Sequence, residues 1–166
     1  MTSDDNTKTI KKEASRAYNY ACRLLGRSDY TTHEIRTKLE RKKYNKKIIN
    51  DVIEKCIGFG FLNDKAYVGK YIRTRLALKP RGKYILRMEL IKKGIDKELI
   101  ETHFEDDPIN ERELACELIA NNARRLMQLT PEKRKQKILY LLCSRGLPYV
   151  RYEQLVDLTN SLPKDR

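Results

Sequence analysis

Tryptophan is absent from the 166 residues, and histidine occurs only as His33 and His103. No H-E-x-x-H, G-x-S-x-G or glycine-rich phosphate loop occurs, so the commonest signatures of catalysis are missing. Asp106 and Asp107 are adjacent on a linker ahead of Pro108, where neighbouring carboxylates read as solvated rather than as a two-metal site. The chain is therefore expected to be no enzyme and to need no cofactor or metal. The four cysteines, Cys22, Cys56, Cys116 and Cys143, are widely spaced and lack the short pairing that zinc requires. They read as buried, reduced thiols of a cytoplasmic protein. Glycine and proline number only 7 and 5, too few for the tight turns of an all-β fold. Apolar runs stay short, as at Ile138–Cys143, so no segment is expected to span a membrane. The opening Met1-Thr2-Ser3-Asp4-Asp5-Asn6 lacks the basic and apolar regions of a secretory signal.

Charge is what the chain has in excess. Lys and Arg number 36 against 23 Asp and Glu, a formal net charge of +13. Leu, Ile, Val and Phe make up 41 of the 166 residues. That share exceeds the roughly 20% below which highly charged chains stay unfolded. Val is scarce, while Leu, Lys, Arg and Glu are abundant, a balance that favours helix.

The chain repeats itself. Tyr20-Ala21-Cys22-Arg23-Leu24-Leu25 recurs as Tyr67-Val68-Gly69-Lys70-Tyr71-Ile72 and as Leu114-Ala115-Cys116-Glu117-Leu118-Ile119, with offsets of 47 and 47. A second element, Leu39-Glu40-Arg41-Lys42-Lys43-Tyr44-Asn45, recurs from Leu90 and again from Leu142, with offsets of 51 and 52. Two elements recurring three times in one order indicate tandem repeats whose internal link lengthens.

Each element has helical spacing. Ala14, Ala17, Ala21, Leu24 and Leu25 share a face. Thr31-x-x-Glu34 is a capping box ahead of Ile35 and Leu39. Asn45 caps a third helix that buries Ile49, Val52, Ile53 and Cys56, and Gly58 and Gly60 end it. Asn63 and Asp96 are the corresponding caps in the second repeat, and Gly94 and Gly146 are helix stops. Thr130-Pro131-Glu132 starts a helix running to Gly146. A last helix is expected around Val150–Leu158. The expected fold is all-α: nine helices in three tandem three-helix repeats, stacked into an elongated, curved rod. Residues 1–13 read as a flexible basic tail, with the repeats at 14–60, 61–107 and 108–166.

No acidic residue occurs between Lys65 and Met88, an interval that holds Lys70, Arg73, Arg75, Lys79, Arg81, Lys83 and Arg87. Lys42, Lys43 and Lys46 lie in a second basic cluster, and Lys133, Arg134 and Lys137 in a third. A single such run is an ordinary solvated face. Three runs over three copies of one unit point to an extended anionic partner. Ten tyrosines interleave, and most have the spacing of core residues rather than of a base-stacking platform. The acid-free interval is expected to be the main contact surface, because its positive charge has no partner within it.

Several stretches resemble the RecX family. Ala21-Cys22-Arg23-Leu24-Leu25 followed by Tyr30-Thr31-Thr32-His33-Glu34-Ile35-Arg36-Thr37-Lys38-Leu39 is similar to its opening pattern. Gly60-Phe61-Leu62-Asn63-Asp64 resembles a second family segment. Tyr71-Ile72-Arg73-Thr74-Arg75 and Gly82-x-x-Ile85-x-x-x-Glu89-Leu90-x-x-Lys93-Gly94-Ile95 resemble the most distinctive one. The resemblance spans residues 14–158 and is weaker in the third repeat. One departure is Lys43, where the family pattern has glycine. The resemblance implies a regulator that binds in the helical groove of the RecA–DNA filament and modulates it, usually by inhibition. Strand exchange, ATP hydrolysis and repressor co-cleavage would be the affected activities, in recombination, repair and the SOS response. The implied partners are the RecA filament and, weakly and without sequence specificity, single- or double-stranded DNA, with no membrane and the protein a monomer. A helix-turn-helix transcription regulator is the alternative, and a repeat scaffold for an acidic protein a third reading.

Overall fold

The computed structural model describes residues 3–147. Among them are nine helices and no strand: α1 Ser3–Leu25, α2 Thr32–Arg41, α3 Lys46–Gly58, α4 Asp64–Leu78, α5 Lys83–Lys92, α6 Lys97–Asp106, α7 Glu111–Ala120, α8 Ala123–Met127 and α9 Pro131–Ser144. The all-α, repeated architecture agrees with the sequence reading, but the ninth helix has a different origin. The short α8 was not expected, and the helix expected around Val150–Leu158 lies outside the described residues. Residues 3–13 are helical and continuous with the rest of α1; they hold neither Gly nor Pro, and the Ser-Asp-Asp opening suits a helix start.

The repeats can be traced by burial. Ala21, Val68 and Ala115 are all fully buried, as are Ile35, Leu86 and Ile138. Leu39, Leu90 and Leu142 are buried in the same way. Caps fix the boundaries. The Thr31 hydroxyl accepts from the Glu34 amide while Glu34 accepts from the Thr31 amide. The Asn45, Asn63 and Asp96 side chains accept early amides of α3, α4 and α6. In the third repeat, Asn110 caps α7, accepting from the Glu113 amide at 3.2 Å. Thr130 makes no side-chain capping bond, and Pro131 occupies the first helical position, where a missing N–H leaves no intrahelical bond unmade.

The turns after α2, α5 and α9 are the same device. Lys43, Gly94 and Gly146 sit at equivalent offsets with φ of 60°, 76° and 63°. Only Lys43 carries a Cβ into the left-handed region, where L-residues are strained. Replacing Lys43 by glycine is expected to stabilise the protein by about 0.5–1 kcal/mol. Chemical denaturation with an unchanged m-value checks this.

The chain divides into two compact units that do not follow the repeat boundaries. Unit 1 is Met1–Lys70 with Leu90–Ile100, and unit 2 is Tyr71–Glu89 with the chain from Glu101 onward. In unit 1, Ala17, Ala21, Ile35, Leu39, Ile49, Val52, Ile53, Cys56 and Leu62 form the core. Tyr18, Tyr20, Tyr30 and Tyr44 pack against it. The turn at Lys93–Gly94 is fastened to the start of α2: the buried Thr31 hydroxyl donates to the Lys93 carbonyl at 2.7 Å. The Lys93 ammonium also reaches Glu34 at 2.8 Å. Burial pulls the Lys93 pKa down, but hydrogen bonds to Glu34 and Tyr67 outweigh it and leave the pKa raised.

Unit 2 repeats this joint with other atoms. The Gly82 amide donates to the Arg145 carbonyl at 2.8 Å, and the Lys83 amide to Glu111 at 2.7 Å. Its core joins Ala115, Leu118, Ile119, Leu126, Ile138, Leu142 and Leu147. In both units, the carbonyl just before a left-handed glycine meets the first turn of an earlier helix.

The cysteines need a correction. Only Cys56 is buried; Cys22 and Cys116 are half-buried and Cys143 is exposed. Cys143 follows the inward Leu142 on α9, and one residue along a helix turns about 100° away from the buried stripe. Burial, with Cys22 beside it, pushes the Cys56 thiol up to about 11. A thiol-reactive disulfide reagent at pH 8 is therefore expected to modify Cys143 first and Cys56 only after unfolding. Peptide mapping against time reads the order.

Candidate basic interface

The acid-free interval is not free of ion pairs, because acids from elsewhere in the sequence reach it. Glu89, which closes the interval, gathers three groups in unit 2. It accepts from the Tyr71 hydroxyl at 2.9 Å, pairs with Arg75 at 3.4 Å and pairs closely with Arg81. Arg75 also donates to the Tyr71 hydroxyl at 3.0 Å. Arg87 forks onto Glu101, with its Nη2 donating at 2.8 Å. That hydrogen bond, against some desolvation, raises the Arg87 pKa further. The Lys83 ammonium lies 5.9 Å from the centre of the Phe104 ring. In unit 1, Lys70 pairs with Asp29 at 2.6 Å, both well exposed.

Arg134 is also committed. Its guanidinium donates to the carbonyls of Leu126 and Leu129 and, at 3.4 Å, of Met127. These carbonyls lie at the C-terminal end of α8 and just after it, so the arginine acts as a cap there. Arg75, Arg81, Arg87 and Arg134 thus hold the fold of unit 2. The acids that pair with Arg75, Arg81, Arg87 and Lys70 all lie outside the interval, since an acid distant in sequence can be adjacent in space.

The remaining candidates keep their heads in solvent. Arg73 on α4 and Lys79 just after it are exposed and have no hydrogen-bond or ion-pair partner among the described residues. Lys43, Lys46 and Lys133 are exposed in the same way. Lys42 lies over the Tyr20 ring at 5.8 Å, and Lys137 over Tyr140 at 5.2 Å. Tyr140 is 65% exposed and Tyr84 64%, whereas the tyrosines packed on the core of unit 1 are half-buried.

Two features are not marked by any run in the sequence. Arg16 and Arg23 lie outside the basic clusters, yet seven residues apart they share a face of α1; together with Lys42 they line an open notch. Helical spacing would have found the pair. Phe59 and Phe61 are exposed with ring centres 6.0 Å apart after α3. No spacing rule distinguishes them from core phenylalanines. Among the described residues no cluster of His, Cys, Asp and Glu is placed to hold a metal, and no helix is long and apolar enough to cross a membrane.

The fold and these faces define a class: an all-α protein of tandem three-helix repeats with exposed cations on each repeat. The family model described as "RecX, first three-helix domain" matches residues 17–56, and "RecX, second three-helix domain" matches residues 63–103. The chain is 31% identical to the regulatory protein RecX of Mycolicibacterium smegmatis over 135 residues, 78% of this chain and 72% of that one. It is 36% identical to the RecX of Chlorobium phaeobacteroides over 91 residues, 55% of this chain. That match spans 60% of the Chlorobium protein, and a 25% identical match spans 54% of the Leuconostoc mesenteroides RecX. The crystal structure of RecX from Lactobacillus salivarius superposes with a TM-score of 0.77 at 24% identity, covering 90% of this chain and 98% of that one. The chain belongs to the RecX family of regulatory proteins.

Proposed function

We propose that this protein binds the RecA–DNA filament in the cytoplasm as a monomer and modulates it, chiefly by inhibition. Recombinase, ATPase and co-protease activity are the outputs it changes, in recombination, repair and the SOS response. Family membership supports the partner. The observation that carries the mode of contact is the set of exposed cations without carboxylate partners, Arg73 and Lys79, Lys43 and Lys46, and Lys133, spread over the three repeats. Such a spread suits a partner with repeating anionic surface, and its lysine content suits backbone contact without sequence readout. The internally paired Arg75, Arg81, Arg87 and Arg134 would then order the elements that present these cations.

Co-sedimentation tests the reading. The full chain is spun with RecA assembled on a single-stranded oligonucleotide with a slowly hydrolysed ATP analogue. It should pellet with filaments and stay in the supernatant with RecA lacking DNA. Failure to pellet, together with tight binding to one DNA sequence over others, would favour a transcription regulator.

A further inference from the structure

The notch on unit 1 is built from two elements. Arg16, Asn19, Tyr20 and Arg23 fall at i, i+3, i+4 and i+7 of α1, so their side chains share one face. The left-handed Lys43 turns the chain after α2, and Lys42 and Tyr44 on either side of it complete the lining. The depression holds about 480 Å³, within the range of small-ligand sites. Its lining has three cations and no carboxylate. Arg16, Arg23 and Lys42 are exposed and have no ion-pair partner among the described residues. Arg23 and Lys42 lie 5.6 and 5.8 Å from the centre of the Tyr20 ring, which sets both heads at the same aromatic group.

We propose that this notch seats one nucleotide of a single-stranded nucleic acid, its phosphate among Arg16, Arg23 and Lys42 and its base against the tyrosine side. Two arginine forks and an ammonium match the oxygens of a phosphodiester. A planar base is the group that two tyrosines and an asparagine amide recognise, by stacking and by edge hydrogen bonds. An acidic protein surface would satisfy the cations but leave the rings and Asn19 unused. The site rests on the part of the proposed function in which this chain meets DNA, and it needs no RecA.

The test uses the full chain and a fluorescein-labelled dT20 strand without RecA, read by anisotropy. Arg16→Ala with Arg23→Ala should weaken binding at least tenfold, while Lys11→Ala with Lys12→Ala, the same charge loss on the same helix, changes it less than threefold. The slope of log K against log salt should become shallower by about 0.7 for each phosphate that is no longer neutralised. Unmodified dT20 should compete at least about fivefold better than an abasic strand of equal length, because stacking adds to the phosphate interaction. Equal loss in the two double variants would overturn the site, and so would wild-type affinity in the Arg16/Arg23 variant. Equal competition by the abasic strand would overturn the nucleotide assignment, as would competition by polyglutamate at matched charge. The outcome is separable from the filament reading, because co-sedimentation can fail while dT20 binding behaves as stated.

Discussion

Replacing Gly82 by alanine is expected to destabilise unit 2 by about 3 kcal/mol. A Cβ there would overlap the carbonyl oxygen of Gly146 and lie 2.7 Å from its carbon and 2.9 Å from Glu111 Oε1. The obstructing atom is backbone, and it has nowhere to go. Gly146 sits at φ 63°, and Ile85 Cγ1 stands only 2.5 Å from where a Cβ of its own would be. Overpacking of this kind costs about 1–3 kcal/mol. Pushing the two segments apart also breaks the bond from the Gly82 amide to the Arg145 carbonyl, leaving a buried donor unsatisfied at about 1–3 kcal/mol. At about 2–4 °C per kcal/mol for a chain of this size, the melting temperature should fall by about 6–12 °C. Gly26→Ala is the control: its Cβ would meet only the Cys22 carbonyl at 3.4 Å, so a shift within about 0.5 kcal/mol is expected. Equal melting of the two variants by circular dichroism would show that the joint does not hold unit 2 together.

The largest functional effect is expected from Arg73→Ala combined with Lys79→Ala. Arg73 on α4 and Lys79 just after it are exposed and make no hydrogen bond or ion pair with a described side chain, so the helical signal and melting temperature should barely move. Affinity for the RecA–DNA filament should drop at least tenfold, about 1.4 kcal/mol. Arg75, Arg81 and Arg87 make poorer probes. Removing Arg81 leaves Glu89, only 21% exposed, with less compensation, so weaker binding would not separate contact from a disturbed fold. A double variant that binds filaments like the unaltered protein would move the contact surface to Lys42–Lys46 or Lys133–Lys137.

Much of the fold was legible because it is repeated. The 47-residue offset put Ala21, Val68 and Ala115 in register, and all three are buried. Thr31-x-x-Glu34 forms both bonds of its box. The deviation at Lys43 marked a position whose positive φ now explains why glycine suits it. What escaped was long-range. Gly82 reads as a helix breaker, and nothing local shows that its amide meets Arg145, 63 residues on. An acid-free interval says where acids are absent in sequence, whereas Glu101 on α6 reaches Arg87 on α5. Runs of like charge stand out along the chain, but the notch pairs residues at helical spacing with a turn from another helix. Arg16 and Arg23 are seven residues apart, so no run of charge marks them.

ATP hydrolysis by RecA assembled on single-stranded DNA, measured against increasing amounts of this protein, tests the proposed function most directly. The steady-state rate should fall as the protein is added, and Arg73→Ala with Lys79→Ala should require at least about ten times more protein for the same fall. A rate unchanged at saturating protein, with no co-sedimentation, would contradict the assignment to the RecA filament.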